Sequence, residues 1–384
     1  MKIAALETCV LNVSARTNWT FVRARLADGA EGVGEASLNG WEPLLLVYGG
    51  MLSRALVGQE IDAARLRLRT YPHSPGGLVA NAARSAAEQA LCDAEARSRG
   101  VPLWQLLGER RRDRVPVYAN INRATVDRSP EGCARSALAA VAAGYRAVKI
   151  APFDGVLPDR LDDADAKRAI DVGIARVRAM RAAIGAGVAL MVDCHWRFDA
   201  PTARVVLERL APERLHWLEC PITENAHAHR DIKSLRDAAA AQGTLLAACE
   251  LQTSVAGFLP FVSPPIVDVI MPDVKYAGGL AETVRIAEAA AANGVRVSPH
   301  NPTGPICNFA SLHVAAVAPN VDSLELQVGE SDLFFDVVGG ARPVFVNGAF
   351  VVPDTPGLGA VLDESVLRAH PYQPVGFGLD ERLG

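Results

Sequence analysis

The sequence lacks the basic clusters and long apolar runs that are typical of nucleic-acid-binding and membrane proteins. Its 384 residues carry a formal net charge of −4 at pH 7, so nucleic acid and anionic membrane surfaces are not expected partners. The longest uncharged run, Leu251 to Val267, is interrupted by prolines, which argues against a membrane-spanning helix. The first ten residues alternate like a strand and lack the apolar core of a signal peptide. Small molecules are therefore the expected partners.

Two further absences narrow the chemistry. The seven cysteines are scattered and show no Cys-x-x-Cys spacing, so neither a disulfide framework nor a zinc site is indicated, and a cytoplasmic location is expected. No glycine-rich phosphate fingerprint follows a predicted strand, which disfavours a nucleotide-binding doubly wound fold.

The first part of the chain predicts a compact α+β domain over residues 1–112. Half of all residues are hydrophobic, which is enough for a large core and for two domains. Two strand-like segments, Ile3–Ser14 and Thr20–Ala27, end at the Asp28-Gly29 turn signal. Helical patterns then continue to about Leu107.

From Val115 onward, short apolar strands alternate with alanine-rich helices such as Ala164–Ile184. Eight such repeats predict an α/β fold with a (β/α)8 TIM-like barrel over residues 113–340, and a doubly wound open sheet is the alternative. Residues 341–384 contain a predicted hairpin near Val344–Val352 and are expected to pack back on the N-terminal domain. The strand candidates are Val115–Asn120, Ala147–Ile150, Val188–Asp193, Leu215–Glu219, Leu245–Glu250, Ile266–Asp273, Val295–His300 and Ser323–Leu326.

Ionisable residues end seven successive strands of this predicted barrel. Asp193 and His195 follow an apolar run, and because side chains alternate along a strand, both are expected to point the same way. In a barrel the chemistry lies at the carboxyl ends of the strands. The residues at these ends are Lys149, Asp193 with His195, Glu219, Glu250, Asp273, His300 and Glu325.

Three of these residues predict a metal site. Asp193, Glu219 and Glu250 would supply carboxylate oxygens from neighbouring strands, and oxygen ligands of this kind suit Mg²⁺. Any one of them could be an exposed acid at a helix N-terminus. Three carboxylates brought together without a cation would repel one another strongly, so the set as a whole favours a bound metal.

A second pair predicts a general base. Asp273 ends the sixth predicted strand and His300 ends the seventh. Adjacent strands could bring the carboxylate against one imidazole nitrogen, which would fix the tautomer and raise the basicity of the other nitrogen.

Longer motifs run nearly from end to end of the chain. They include G-V-G-E-A-S at Gly32–Ser37, V-D-C-H-W-R at Val192–Arg197, W-L-E-C-P at Trp217–Pro221, M-P-D-V…G-G at Met271–Gly279 and S-P-H-N-P-T-G-P-I at Ser298–Ile306. In these motifs the sequence resembles the enolase superfamily, in its mandelate racemase/muconate lactonizing enzyme group, and there the acid-sugar dehydratases of the galactonate dehydratase type. The resemblance implies a modified, enolase-type barrel with an N-terminal α+β capping domain completed by the C-terminal tail. It also implies a homo-oligomer, often an octamer.

The resemblance implies Mg²⁺-dependent dehydration of a sugar acid, an aldonate or aldarate, to a 2-keto-3-deoxy acid through an enediolate. The three carboxylates would hold Mg²⁺ against the substrate carboxylate, and His300, oriented by Asp273, would remove the α-proton. His195 would protonate the departing β-hydroxyl. Lys149 and Glu325 would be electrophilic partners of the carboxylate oxygens, and Glu325 would help only if protonated.

Departures from the family pattern bear on these roles. Lys149-Ile150-Ala151 lacks the second lysine of the racemase and cycloisomerase Lys-x-Lys pair, so a lysine base on that face is not expected. Cys249 stands where a glycine often precedes the strand-five ligand, and Cys220 follows the strand-four ligand. Both are interpreted as small buried thiols.

Substrate selection in the family implies a lid of N-terminal loops over the barrel mouth. The candidate loops are Asn12–Trp19 and Asn39–Pro43, and Arg197 could bind a substrate hydroxyl or carboxylate or form a surface salt bridge. Tryptophans in such loops could equally pack in the core. The loop candidates for substrate binding are Asn18, Trp19, Asn39 and Trp41.

Two alternative functions remain open from the sequence. If His195 returns a proton to the α-carbon, the same site would make a racemase or epimerase. A sugar-acid-binding protein without turnover is the other alternative, which the full acid and base set disfavours.

Overall fold

The N-terminal domain is a three-stranded antiparallel sheet covered by helices. A computed structural model describes residues 1–69 and 77–375 of the chain. The strands pair in chain order, and a short turn connects each strand to the next. The elements are β1 (Ile3–Ser14), β2 (Thr17–Leu26), β3 (Glu31–Glu35), α1 (Glu42–Leu56), α2 (Ile61–Arg69), α3 (Gly77–Ser98) and α4 (Trp104–Leu107).

Helix α3 lies unusually close to this sheet because small residues line the contact. A Cβ atom on Gly32 would come 2.2 Å from the Ala90 carbonyl oxygen, and one on Gly34 would come 2.1 Å from that of Ala86. Alanines fill the facing side of α3 and are fully buried. The G-V-G-E motif therefore lets β3 approach the helix backbone, and this places Glu35 at the boundary with the second domain.

The second domain contains eight parallel strands in chain order, and the last of them pairs again with the first. Regular pairing lapses between the seventh and eighth strands, where an isolated bridge joins Val297 to Val321. Aromatic and aliphatic side chains fill the interior, including Tyr118 and Trp217, whose rings meet edge to face. The strands are β4 (Arg114–Asn120), β5 (Ala147–Ile150), β6 (Ala189–Asp193), β7 (Trp217–Glu219), β8 (Leu245–Ala248), β9 (Val269–Ile270), β10 (Arg296–Val297) and β11 (Leu324–Gln327).

Helices connect the parallel strands, and their apolar faces form one large core with the outer faces of the strands. Within the described residues, no helix is both long enough and apolar enough to cross a membrane. The helices are α5 (Pro130–Ala142), α6 (Ala164–Ile184), α7 (Ala200–Leu210), α8 (His229–Ala240), α9 (Ser254–Val262), α10 (Val274–Ala277), α11 (Leu280–Ala291), α12 (Pro305–Val317) and α13 (Leu333–Asp336).

The C-terminal segment divides between the two domains. Strands β12 (Phe345–Val346) and β13 (Ala349–Val351) form the predicted hairpin, but β13 pairs antiparallel with β4 and not with the cap. The following strap does reach the cap, where Leu358 N–H donates to Asp93 Oδ1 at 2.7 Å. The last helix is α14 (Glu364–Ala369).

The segment Asn12–Trp19, which the sequence predicts as a loop, is a β-hairpin. These residues belong to β1 and β2, which are joined by a two-residue turn, and Asn12 pairs directly with Asn18. Trp19 is 1% exposed and its ring meets Phe334 edge to face at 5.9 Å. The tryptophan is therefore packed in the core between the two domains.

Candidate active site

Three buried carboxylates meet at the carboxyl ends of β6, β7 and β8. Asp193, Glu219 and Glu250 each offer an oxygen, and these three oxygens lie within 4.8 Å of one another. The parallel register places Asp193 directly beside Glu219, and Glu250 follows β8 by two residues. Next to the ligands, Cys220 and Cys249 adopt φ angles of 44° and 78°, which turn the chain sharply at each strand end.

The charges of these three carboxylates are poorly compensated. Burial, together with the Asp193 charge, raises the pKa of Glu250 to about 8. Burial also holds the pKa of Glu219 well above its usual range, although Lys149 Nζ lies 2.6 Å from its Oε1. Burial opposes ionisation of Asp193 as well, but His195 lowers the pKa of that group to about 2. A divalent cation would relieve this repulsion, and three carboxylate oxygens are ligands that Mg²⁺ prefers, so the residues fit the expected metal.

Lys149 joins this cluster to Glu325, the second residue of β11. Its Nζ donates to Glu219 and lies 2.9 Å from Glu325 Oε1. Glu325 also accepts from Asn120 Nδ2 at 2.7 Å and from the backbone of Asn301 at 2.8 Å. Burial would raise the pKa of Glu325, but the Lys149 charge and His300 outweigh it, and the pKa is lowered. The lowered pKa favours the ionised form of Glu325, whereas the role that the resemblance implies for it requires a protonated acid.

The His300–Asp273 pair that the sequence predicts is assembled just after β9 and β10. His300 Nδ1 lies 2.9 Å from Asp273 Oδ2, and both residues are buried. Burial opposes ionisation of Asp273, but the Lys275 charge and the hydrogen bond from His300 hold its pKa below the usual value. An ionised carboxylate only accepts, so His300 Nδ1 carries a proton and donates a hydrogen bond to Asp273. Nε2 lies 3.4 Å from Glu250 Oε2, so it faces the carboxylate cluster.

A second imidazole lies on the other flank of the cluster. His195 Nε2 is 2.8 Å from Asp193 Oδ2, and 39% of the side chain is exposed. Burial lowers the pKa of His195, but the charges of Asp193 and Glu250 outweigh it and raise the pKa above the usual value. Because β6 and β8 stand on either side of β7, His195 and His300 contact the two outer carboxylates. The protonated form of His195 is favoured, which suits a proton donor.

The remaining predicted substrate-binding residues lie on β2, just before α1 and in the loop after β6. Asn18 is buried and donates to the Gln373 carbonyl in the C-terminal tail. Asn39 accepts from the Asn18 backbone at 3.4 Å, and Trp41 is half-buried just before α1. Arg197 donates to the Val156 carbonyl at 2.8 Å in the neighbouring loop.

Comparison with known proteins places the chain in a family. The mandelate racemase/muconate lactonizing enzyme N-terminal domain matches residues 4–108, and the enolase C-terminal domain-like model matches residues 132–366. The chain belongs to the mandelate racemase/muconate lactonizing enzyme family. The predicted enolase-type fold, with an N-terminal capping domain and a C-terminal barrel domain, is confirmed.

Relatives of this family member are named as sugar-acid dehydratases. It is 30% identical over 379 residues to a D-galactonate dehydratase of Ralstonia pickettii, with 96% of this chain and 94% of the relative covered. It is 31% identical over 368 residues to a D-xylonate dehydratase of Haloferax volcanii, with 92% and 85% covered. A crystal structure from Burkholderia xenovorans, described as a candidate L-alanine-DL-glutamate epimerase bound to magnesium and fumarate, has the same fold. Its TM-score is 0.86 at 24% identity, with 100% and 99% covered.

Several residues of the site in this family member were missed by the sequence analysis. The Trp217 indole N–H donates to Glu219 Oε2 at 2.8 Å, so it orients a ligand from two positions earlier on the same strand face. Glu224 accepts from the Trp196 indole at 2.9 Å and from the Cys249 backbone at 3.0 Å, which braces two strand ends. Lys275 contacts Asp273. Alternation along β7 could have identified Trp217, but nothing local marks Glu224.

Proposed function

We propose that this protein is a Mg²⁺-dependent sugar-acid dehydratase, a carbon–oxygen lyase that converts an aldonate or aldarate to a 2-keto-3-deoxy acid. One observation carries the proposal: two imidazoles flank one carboxylate cluster, and each contacts one of its two outer carboxylates. His300 is paired with Asp273 through Nδ1, and the charges of Asp193 and Glu250 raise the pKa of His195. A base and an acid at one site are what removal of an α-proton and a β-hydroxyl requires. The names of the relatives at about 30% identity support the substrate class.

The metal would be held by Asp193, Glu219 and Glu250. Bound there, Mg²⁺ would neutralise the negative charge that develops on the substrate carboxylate as the α-proton leaves. The Lys149 ammonium, buried beside Glu219 and Glu325, adds a fixed positive charge to the same region. The Trp217 indole keeps the Glu219 carboxylate from rotating.

The proton transfers are assigned to the two histidines. His300 Nε2 takes the α-proton, and the imidazolium that forms is stabilised by Asp273 through Nδ1. The electron pair of the broken C–H bond forms the new carbon–carbon double bond and expels the β-hydroxyl. His195 Nε2 gives that oxygen its proton, so one water leaves. The enol product then tautomerises to the keto acid.

The same flanking arrangement favours a second candidate, a racemase or epimerase. Proton carriers at opposite ends of a cluster could serve the two faces of an α-carbon, if His195 returned a proton to carbon in place of oxygen. A sugar-acid-binding protein without turnover is the third possibility. The three functions differ in what happens to the α-proton and to the hydroxyl.

A screen of aldonates and aldarates separates these functions. Keto-acid formation is followed with semicarbazide and α-proton exchange by NMR in D2O, each with Mg²⁺ and with EDTA. We expect a keto acid from one or a few acids, dependent on Mg²⁺. The His195→Asn variant should retain exchange and lose keto-acid formation, and His300→Asn should lose both. Exchange without a keto acid in the wild type would replace dehydration by epimerisation, and binding with no exchange for any acid would contradict both catalytic functions.

A further inference from the structure

A buried lysine contacts the His300–Asp273 pair on the side of Asp273. Lys275, the second residue of α10, has a side-chain exposure of 0%. Its Nζ donates to Asp273 Oδ2 at 2.8 Å and to Thr303 Oγ1 at 2.9 Å, and it lies 3.6 Å from Cys307 Sγ. Asp273 Oδ2 is the same oxygen that accepts from His300 Nδ1. One carboxylate oxygen is therefore shared by the base and by a lysine that no proton-transfer step uses.

Lys275 fixes both oxygens of the Asp273 carboxylate. Asp273 caps the N-terminus of α10, and its Oδ1 accepts from the Lys275 backbone N–H at 2.8 Å. The side chain of the same lysine holds Oδ2. A carboxylate held at both oxygens cannot rotate about its terminal bond, so His300 Nδ1 meets an acceptor in a fixed position. The imidazole plane, and with it the direction of the Nε2 lone pair, is set by this contact.

Burying the Lys275 ammonium carries a large desolvation penalty, so the contacts that offset this penalty indicate what the residue does. A fully buried ammonium requires several partners, because its desolvation penalty exceeds that of most side chains. The groups around it are Asp273, the Tyr276 ring at 4.9 Å, Thr303, Cys307 and, further away, the Glu35 carboxylate. Asp273 is the charged group that contacts its Nζ among these.

The capping domain braces the segments on both sides of Lys275. Glu35 at the end of β3 accepts from the backbone of Gly304 at 2.7 Å and of Cys307 at 2.8 Å, so it anchors the start of α12 directly after Thr303. From α3, Ser85 Oγ donates to the Val274 carbonyl at 2.6 Å. These bonds hold the backbone on either side of the lysine and of its hydroxyl acceptor.

We propose that Lys275 is a positioning residue for the general base, and that Glu35 of the capping domain holds it in place through the Thr303–Cys307 segment. Lys275 acts on Asp273, and Asp273 acts on His300. The inference rests on the proton-abstraction role proposed for His300, but it is independent of whether dehydration or epimerisation follows.

Replacing Lys275 with Met tests the positioning role. In K275M we expect the rate of α-proton exchange to fall about 100-fold, since a small misplacement of a catalytic group costs this much. KM for the substrate and the affinity for Mg²⁺, measured by calorimetry, should change less than about threefold, because Lys275 touches neither the ligands nor the substrate region. The control is Lys233→Met, which removes an exposed lysine paired with Asp237. Equal exchange rates in K275M and K233M would overturn the proposal, and so would a parallel loss of Mg²⁺ affinity.

Thr303→Val provides a second variant, should K275M fold poorly. It removes one hydroxyl acceptor at nearly constant volume, and we expect a loss of exchange of about three- to tenfold. In the K275M background the Thr303→Val change should cost nothing further, since the contact it removes is already absent. An unchanged exchange rate in Thr303→Val alone, or additive losses in the double variant, would show that Thr303 does not act through Lys275, and would overturn the proposal.

The imidazole nitrogens of His300 give a readout that does not need turnover. In protein labelled with ¹⁵N-histidine, wild-type His300 should carry its proton on Nδ1, and K275M should shift the population towards the Nε2-protonated form. K233M should match the wild type. If no sugar acid shows exchange, the proposed function fails while this measurement still decides the inference. An unchanged His300 spectrum in folded K275M would overturn the positioning role.

Discussion

The Asp273 carboxylate and the cluster of Asp193, Glu219 and Glu250 stand at the ends of neighbouring strands, and their buried charges are balanced in opposite ways. Asp273 receives donors from Lys275 Nζ, the Lys275 backbone and His300, and its pKa is lowered despite burial. Glu250 has carboxylates as its near neighbours, and its pKa is raised to about 8. One region is neutralised by the chain itself, and the other requires a cation from outside. The difference separates the residues that we propose to carry protons from the residues that fit a metal.

The largest expected change in the free energy of unfolding follows from removing the charge of Asp273, which the chain itself neutralises through Lys275. Asp273→Asn leaves the buried Lys275 ammonium without its counter-charge, and this should cost about 3–5 kcal/mol. The same change removes the partner of His300 Nδ1, so α-proton exchange should fall about 10⁴-fold, as expected when the acid that orients a histidine is lost. Urea unfolding and exchange in D2O measure the two effects.

The double variant Asp273→Asn/Lys275→Met is the matched control for this prediction. It removes the unpaired charge together with its partner, so most of the lost stability should return while exchange stays absent. If the double variant were as unstable as Asp273→Asn alone, the cost would lie in packing and not in the buried charge.

A third buried titratable group, His313, has no counter-charge in contact with it among the described residues and is therefore neutral. His313 on α12 accepts from the Trp104 backbone at Nδ1 and contacts the Leu358 carbonyl through Nε2, both at 3.2 Å. Burial lowers its pKa to about 4, so the ring is neutral in the folded protein. It joins α4, α12 and the C-terminal strap, and protonation would place a donor against the Trp104 N–H.

This histidine predicts a loss of stability in mild acid. Its unfolded pKa is about 6.5, so between pH 6.5 and pH 4 the unfolded chain binds a proton that the folded chain does not, and stability falls as the pH falls. The full contribution is about 3 kcal/mol, complete near pH 4. His313→Gln keeps an acceptor and a donor without titrating, so the difference between the wild-type and variant urea midpoints should grow across this window. Parallel pH profiles would contradict the assignment.

Of the two carboxylate regions, only the cluster that fits a metal could be predicted from the sequence. Parallel strands converge at their carboxyl ends, so ionisable residues such as Asp193 and Glu219 could be placed together from the strand pattern alone. The opposite behaviour of Asp273 depends on Lys275, whose side chain is directed by a single helical turn that carries no periodic signal. Charge states depend on neighbours distant in sequence, and for that reason the ionised state of Glu325 was not predicted.

The loop prediction failed for a related reason. Polar residues between Asn12 and Trp19 are typical of an exposed loop, but Asn18 is satisfied by the Gln373 carbonyl from the C-terminal tail. That partner lies at the other end of the chain, and no local pattern reveals it. Likewise the hairpin was placed on the cap, although β4 offers a strand edge that β13 fills.

The smallest expected effect has the opposite sign to the first. Glu250→Gln replaces a carboxyl group whose raised pKa obliges it to take up a proton when the metal-free protein folds at pH 7, so the variant should have a free energy of unfolding about 1–2 kcal/mol higher in EDTA at that pH. With Mg²⁺ present the order should reverse, because the wild type gains stability from the bound cation and the variant, which has lost a ligand, gains much less. Thermal unfolding of both proteins, with Mg²⁺ and with EDTA, measures this crossing. A variant less stable than the wild type in EDTA would mean that the cluster is neutralised by the chain, as Asp273 is, and the distinction between the two regions would then disappear.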